Sequence, residues 1–553
     1  MIATNSKAYA PSKLATLRTT IQSGWLGRRS AQPPFFLVAA ALLTAAAALL
    51  PVTYLIIRAA GVGAKIWDIL LQPRTLNIFL GSAGLALSVT LASMVIGVLL
   101  AWLTVRTDLP GRQFWAVITV LPLVLPSYVG AFTLVAALGP KGMLQSWLEP
   151  LGVDRLPSIY GFPGALLALT LFTYPYVLLS VRAALRGLDP SLEEAARSLG
   201  RSPLRVFWEI TLPHLRPSIY AGGLLVALYS LSDFGAVSLL RFNSFTRAIY
   251  IQYGASLDRS AAAVLALLLV GLTLLILLAE ARMRGKARYY RSSSGALRQP
   301  SLVKLGRWRP LALAFCVLVS AVGLVMPLLV IGFWLVRGLL AGEELNWGLA
   351  IVFNSLSVSS LAALVAVLVA IPVAVLAVRF PGRSSRWLER SAYVGYALPG
   401  IVIALSLVFF GANYATLLYQ TLAMLVFAYV VRFLPQAVGS ARASLLQVSP
   451  RLEEAARSLG RTPSQVLSSI TVPLLKPGLL TGLALVFLTG MKELPATLLL
   501  GPTGFSTLAT RIWSATEQVF FARAAAPAFL LVLVSAISVW LILAQEEKGL
   551  RQR

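Results

Sequence analysis

Leu192–Arg201 reads LEEAARSLGR, and the same ten letters return at Leu452–Arg461, 260 positions later. The match extends outward with substitutions. Pro190 answers Pro450, Pro203 answers Pro463, Ile210-Thr211 answers Ile470-Thr471, Pro213 answers Pro473, and Pro217 answers Pro477. Farther upstream, Val105-Arg106 before Pro110-Gly111-Arg112 resembles Val378-Arg379 before Pro381-Gly382-Arg383, and Leu125-Pro126 resembles Leu398-Pro399. The chain is therefore two halves built on one plan.

Composition says what kind of plan. Of 553 residues, 58% are hydrophobic and only 12% charged, a combination foreign to soluble domains. The apolar residues come in blocks: Phe35 to Ile57 and Leu76 to Val105 hold no charged residue. A helix needs about 20 such residues to cross a bilayer, and in lipid a spanning segment must satisfy its own backbone. The reading is an all-α membrane protein with twelve transmembrane helices, six per half. They are expected near 36–57, 76–105, 116–138, 162–181, 218–240 and 261–279, then near 311–336, 350–378, 392–411, 415–431, 478–500 and 526–544. An even number per half gives both halves the same orientation, as in parallel-repeat transporters. The expected divisions are a polar tail 1–35, a first membrane half 36–280, a basic linker 281–310 containing Ser292-Ser293-Ser294-Gly295, a second half 311–545 and a tail 546–553. The first apolar block is read as a retained span because it is long and lacks a small-residue cleavage site.

The net charge is +27, which in a soluble protein points to nucleic acid. Here its location explains it. With the N-terminus inside, the basic residues fall on inside segments: Lys7, Lys13, Arg18, Arg28 and Arg29 in the first tail, nine between Arg282 and Arg309, and Arg383, Arg386 and Arg390 after the eighth span. This is the positive-inside pattern. It predicts both termini in the cytoplasm and a membrane-lipid environment, with no nucleic-acid partner.

The repeated stretch lies in a long inside loop of each half, and its local chemistry predicts a helical hairpin. Asp189 and Ser449 suit the N-cap, with Pro190 and Pro450 at the first helical position. Glu193, Glu194, Glu453 and Glu454 fall in the first turn, where the helix dipole favours negative charge. Gly200 and Gly460 serve as C-terminal caps. Ser202-Pro203 and Thr462-Pro463 start a second helix, which Pro213 and Pro473 are expected to end. Ala195-Ala196 and Ala455-Ala456 are small enough for a partner surface to approach closely. A membrane-surface hairpin without a partner is the plainer reading, but the first helix is short and mixed in charge.

The pattern Glu-Ala-Ala, three residues, Gly, nine residues, Ile-x-Leu-Pro resembles the EAA loop of bacterial binding-protein-dependent ABC importer permeases. Glu194-Ala195-Ala196, Gly200, Ile210 and Leu212-Pro213 fit throughout; the second copy has Val472 in place of Leu beside Pro473. The resemblance implies a type I importer fold in which each loop docks on an ATPase subunit. Glu193, Glu194, Ala195, Ala196 and Gly200, with Glu453, Glu454, Ala455, Ala456 and Gly460, are then the coupling residues. It also implies two ATPase subunits, a periplasmic solute-binding protein and a bacterial inner-membrane location. No G-x-x-x-x-G-K-S/T phosphate loop occurs in the chain, so ATP and Mg belong on the partner and none is expected here. The fused halves, Val378–Arg383 and Tyr396–Gly400 resemble the ferric-iron importer permeases, and less closely the thiamine ones. Thiamine, polyamine or inorganic-anion import, and ion-coupled secondary transport, stay open as alternatives.

No metal-binding constellation is present. His214 is the only histidine, Cys316 the only cysteine. Ionisable residues inside spans are costly and therefore informative. Asp233 and Glu493 hold matching positions in the fifth span of each half and are candidates for a negatively lined path. The competing reading is a gate or helix break, with Glu493 paired to Lys492 or another cation.

Overall fold

The computed structural model of the chain describes residues 33–255, 260–283, 302–343 and 348–551. The expected tail through residue 32, most of the expected linker including Ser292–Gly295, and the last two residues lie outside them. In the first half the helices are α1 (Phe35–Ala60), α2 (Pro73–Arg106), α3 (Arg112–Ile118), α4 (Ser127–Leu138), α5 (Phe162–Gly187), α6 (Pro190–Ser198), α7 (Leu212–Ser232), α8 (Gly235–Leu239), α9 (Phe245–Ala255) and α10 (Ser260–Met283). The second half repeats the order. It holds α11 (Gly306–Leu340), α12 (Leu349–Arg379), α13 (Arg383–Ala392), α14 (Gly400–Tyr414), α15 (Leu422–Gln447), α16 (Pro450–Ser458), α17 (Val472–Met491), α18 (Pro495–Leu500), α19 (Leu508–Glu517) and α20 (Phe521–Arg551). Among the described residues no β-strand forms beyond the isolated bridge between Thr107 and Val303.

Among the described residues eight helices are long and apolar enough to cross a membrane, and ten segments qualify if each of two bent pairs is one span. The boundaries and continuity of the expected spans are thus corrected at particular places. The expected spans 116–138 and 392–411 are broken, with bends of 95° and 104°. The cause is Leu125-Pro126 and Leu398-Pro399: proline disfavours helical geometry in the residue before it, and both leucines are extended, at ψ 125° and 116°. The expected spans 218–240 and 478–500 stop at Ser232 and Met491 and resume as the short α8 and α18. The expected span 415–431 starts later, where the Thr421 side chain caps α15, and runs on to Gln447.

Pro213 and Pro473 do not end the hairpin's second arm. A π-helical turn, Phe207–Thr211 or Leu467–Thr471, carries that arm directly into α7 or α17. The Leu212 amide bonds the Phe207 carbonyl, and the Val472 amide bonds the Leu467 carbonyl. Widening the turn in this way accommodates a proline ring that would clash in an unbroken α-helix. The same device recurs at Ala321–Val325 ahead of Pro327 inside α11.

Each half packs three long helices closely: α2, α5 and α7 in the first, α12, α15 and α17 in the second. Small residues make this possible. A Cβ on Gly97 would sit 2.8 Å from the Val177 Cβ, one on Gly222 2.7 Å from the Val177 Cα, and one on Gly478 2.3 Å from the Ser444 Cβ. The first helix of each half reaches across to the other half while also packing on the last helix of its own, α1 on α10 and α11 on α20. Helix α1 lies against α12, α13 and α14. There the Ser406 hydroxyl donates to the Pro51 carbonyl at 2.6 Å and the Tyr54 hydroxyl to the Phe409 carbonyl at 3.3 Å. Reciprocally, α11 packs on α4 as well as on α20. The described end of the linker is tied to the turn after α2: the Val303 amide donates to the Arg106 carbonyl at 2.8 Å, and the Leu305 amide to Asp108 Oδ1 at 2.8 Å.

Candidate functional site

The two hairpins fold alike from the residues upward. The Ser191 amide donates to Asp189 Oδ1 at 3.0 Å, so Asp189 caps α6, and Pro190 opens it. Ser449 occupies the N-cap of α16, but its hydroxyl makes no cap hydrogen bond. Both helices end in the same left-handed glycine turn, Gly200 at φ +80° and Gly460 at φ +83°. The Gly200 amide bonds the Arg197 carbonyl and the Arg201 amide the Ala196 carbonyl; Gly460, Arg457, Arg461 and Ala456 repeat the pair. This is the paired closure of a Schellman turn, and it favours glycine because other residues are strained at positive φ.

The first glutamate of each copy faces inward. Glu193 and Glu453 are each 5% exposed. Glu193 lies 3.6 Å from Arg106 at the end of α2 and 3.9 Å from Arg197, and its Oε1 accepts from the Thr211 hydroxyl at 2.9 Å. Glu453 Oε1 accepts from Arg379 Nε at 2.9 Å, at the end of α12, and from the Thr471 hydroxyl at 3.1 Å. Each arginine also donates to the strand of chain that enters the hairpin: Arg106 to the Leu185 carbonyl at 3.2 Å and Arg379 to the Val448 carbonyl at 3.0 Å. One carboxylate thus joins three elements: the end of a long helix, the first helix of the hairpin, and the π turn leading into the next long helix. Arg106, Arg379, Thr211 and Thr471 were absent from the expected site. Their signal was present in the recurring Val-Arg and Ile-Thr pairs.

The other face looks outward. Ala195, Gly200, Glu454, Ala455 and Gly460 are exposed and Glu194 is half-exposed, whereas Ala196 and Ala456 are buried. Leu199 and Leu459, 81% and 85% exposed, stand at the tips. No local signal marks these leucines, because a lone leucine before a glycine has no periodic partner to show which way it faces.

The buried acids sit at the helix breaks. Asp233 is 7% and Glu493 4% exposed. Each caps the short helix that follows: the Ala236 amide donates to Asp233 Oδ1 at 2.9 Å, and the Ala496 amide to Glu493 Oε1 at 3.1 Å. The remaining partners differ. Ser127 donates to Asp233 Oδ2. Glu493 pairs with Arg432 at 2.8 Å. Gly400, which follows Pro399 as Ser127 follows Pro126, leaves the space: a Cβ there would overlap Arg432 Nη1 and lie 3.0 Å from Glu493 Oε1. Lys492 does not pair with Glu493; its Nζ reaches the other half and donates to the Leu123 carbonyl at 3.1 Å. His214 Nδ1 lies 2.7 Å from the Ile210 carbonyl one turn away. No group of three or more His, Cys, Asp or Glu able to hold a metal occurs among the described residues.

Two membrane halves, each carrying one hairpin and one broken helix with a buried acid, define a transporter permease of duplicated design. The profile of the family described as "Binding-protein-dependent transport system inner membrane component" matches the chain twice, over residues 93–286 and 366–548. Each match holds one hairpin and one acid, and the chain belongs to this family of multi-pass inner-membrane proteins. It is similar to the Fe(3+)-transport system permease protein FbpB 2 of Haemophilus influenzae, 36% identical over 92% of this chain and 98% of that one. It is also similar to the ferric transport system permease protein FbpB of Actinobacillus pleuropneumoniae, 26% identical over 74% of this chain and 62% of that one. The molybdenum transport system permease protein ModB of Escherichia coli is 37% identical over 26% of this chain and 63% of its own length.

Proposed function

We propose that this chain is the permease of an ATP-driven importer that passes ferric iron from a periplasmic binding protein to the cytoplasm. The observation that carries the substrate is the end-to-end likeness to an Fe(3+) permease, covering both halves, where the molybdenum relative matches a quarter of the chain. The eight long helices, the two bent pairs, α7 and α20 make twelve crossings in two parallel sets of six, with both termini and both hairpins in the cytoplasm. Two copies of an ATPase, which carry the ATP and Mg, dock on the hairpins.

Within this reading the hairpin residues divide by face. Glu194, Ala195, Leu199 and Gly200, with Glu454, Ala455, Leu459 and Gly460, meet the ATPase. Glu193 and Glu453 are positioning residues, and Ala196 and Ala456 pack against the permease. When the ATPase subunits close, each coupling helix moves, and its inward glutamate carries the end of α2 or α12 and the start of α7 or α17 with it. Rigid helices joined by a buried, hydrogen-bonded ion pair respond as a unit, since separating such a pair leaves an uncompensated charge. Asp233 and Glu493 line or gate the path at the breaks, as discontinuous helices do in other transporters.

The test is uptake by the reconstituted complex of permease, ATPase and binding protein. Radiolabelled iron should accumulate with ATP and thiamine should not; thiamine uptake without iron uptake overturns the substrate. Full iron uptake by both Asp233→Asn and Glu493→Gln would remove the two acids from the path. Cysteine labelling at Leu199 and Leu459 checks the orientation, which fails if both react from the periplasmic side.

A further inference from the structure

The long helices of the two halves carry polar side chains at matching places inside the bundle. At the 260-residue spacing of the two hairpins, Tyr176 of α5 answers Gln436 of α15, and Tyr229 of α7 answers Thr489 of α17. In each half the two meet. The rings of Tyr176 and Tyr229 have centroids 6.0 Å apart, and the Thr489 hydroxyl donates to Gln436 Oε1 at 3.1 Å. All four are half-buried. Tyr229 and Thr489 each stand about one helical turn before a buried acid, Asp233 or Glu493, on the hairpin side of it.

The phenols turn to the seam between the halves rather than to lipid. The Tyr229 hydroxyl approaches Ser127, which bonds Asp233, and lies within electrostatic reach of Arg432 in the other half. Tyr176 stands in the same relation to Tyr396. Tyr128, the residue after Ser127, is 3% exposed, and its hydroxyl has no hydrogen-bond partner among the described residues. That hydroxyl lies within reach of Tyr229, and of Tyr429 and Glu493 across the seam. A buried hydroxyl without a partner carries a cost that a ligand at the seam recovers. The two cations of the seam are engaged, Arg432 by Glu493 and Lys492 by the Leu123 carbonyl. The remaining polar lining is oxygen-rich, and oxygen donors suit hard cations.

We propose that Tyr128, Tyr176, Tyr229, Gln436 and Thr489 line the passage one turn below the two acids and form a transient binding site for the transported hard cation. The site rests on the importer reading proposed above and deepens it, placing cation selectivity on neutral oxygens of the permease. The halves contribute unequally, three phenols from the first against an amide and a hydroxyl from the second. Neutral oxygens hold a cation firmly enough to admit it and loosely enough to release it, as passage requires.

The experiment uses the complex of permease, ATPase and binding protein in proteoliposomes, with uptake of radiolabelled iron and ATP hydrolysis read on the same sample. Tyr128→Phe, Tyr176→Phe and Tyr229→Phe each remove one oxygen and keep the ring. Each should lower iron carried per ATP about three- to tenfold, and the triple variant should carry almost none. Full uptake by the triple variant overturns the site. So does an equal loss of hydrolysis and uptake, which a purely structural role would give. Should the triple variant fail to fold, Thr489→Cys in a Cys316→Ala background supplies a second measurement. A cationic methanethiosulfonate should label it about tenfold faster than an anionic one of similar size, and iron-loaded binding protein with ATP should slow the labelling. Equal or reversed rates overturn the cation assignment. A wild-type complex that imports thiamine or molybdate instead of iron overturns the proposed substrate, and the cation site falls with it.

Discussion

The two hairpins and the two helix breaks have diverged to different degrees. The hairpins share ten consecutive letters and repeat in space as well: the same glycine turn, the same buried glutamate, the same arginine and threonine, the same π turn. The breaks keep only a buried acid and the cap it makes. In the first half that acid is neutral-bonded through Ser127; in the second it is ion-paired to Arg432, with Gly400 making room and Lys492 reaching across to Leu123. The difference follows from what each region touches. Each hairpin presents an outward face of its own, and in the function proposed above each face meets a like partner, which holds both copies to one shape. At the breaks the halves meet each other: Lys492 bonds Leu123, and Trp513 packs against Phe234 with ring centroids 4.9 Å apart. Two surfaces that meet need only complement each other, so a change on one can be answered by a different change on the other.

This contrast can be broken most directly at Arg432. Arg432→Met strands the Glu493 carboxylate and should cost about 3–5 kcal/mol, seen as a lower unfolding temperature of the purified chain. Adding Glu493→Gln should recover most of the loss; no recovery would mean that the ion pair is not what the arginine contributes. Next come the braces. Glu453→Gln and Glu193→Gln should leave ATP hydrolysis by the complex largely intact while lowering iron carried per ATP several-fold, and Asp at either position should restore part of it. Equal loss of hydrolysis and transport would place these glutamates at the ATPase surface instead. At the other break, Ser127→Ala removes one neutral hydrogen bond to a buried acid and should cost about 1–3 kcal/mol, less than Arg432→Met. An equal or larger cost would erase the asymmetry. Smallest and most alike, Gly200→Ala and Gly460→Ala force a side chain into the left-handed region and should each cost about 1–2 kcal/mol. Unequal costs would show that the two hairpins are less equivalent than their geometry.

Much of this was legible in the letters. Periodic caps, prolines and glycines act over a few residues, so the hairpin's first helix, its start at Pro190 and Pro450 and its closing glycines read directly. The π turns did not, because a proline in sequence marks a clash without saying whether the chain will stop or widen to absorb it. The bends at Pro126 and Pro399 were hidden for the opposite reason: hydropathy sums along a segment and is blind to its direction.

By itself the sequence determined that the chain is apolar enough to live in a membrane, that it is duplicated, and where each copy places its hairpin and its buried acid, because composition, repetition and capping are properties of neighbouring residues. Only the tertiary structure decided that α1 and α11 cross to the opposite half, that Glu193 and Glu453 turn inward to Arg106 and Arg379 while Leu199 and Leu459 turn out, and that Glu493 chooses Arg432 over Lys492. Those outcomes depend on which side chains come within about 4 Å of each other after packing, and residues tens to hundreds of positions apart carry no local mark of that meeting.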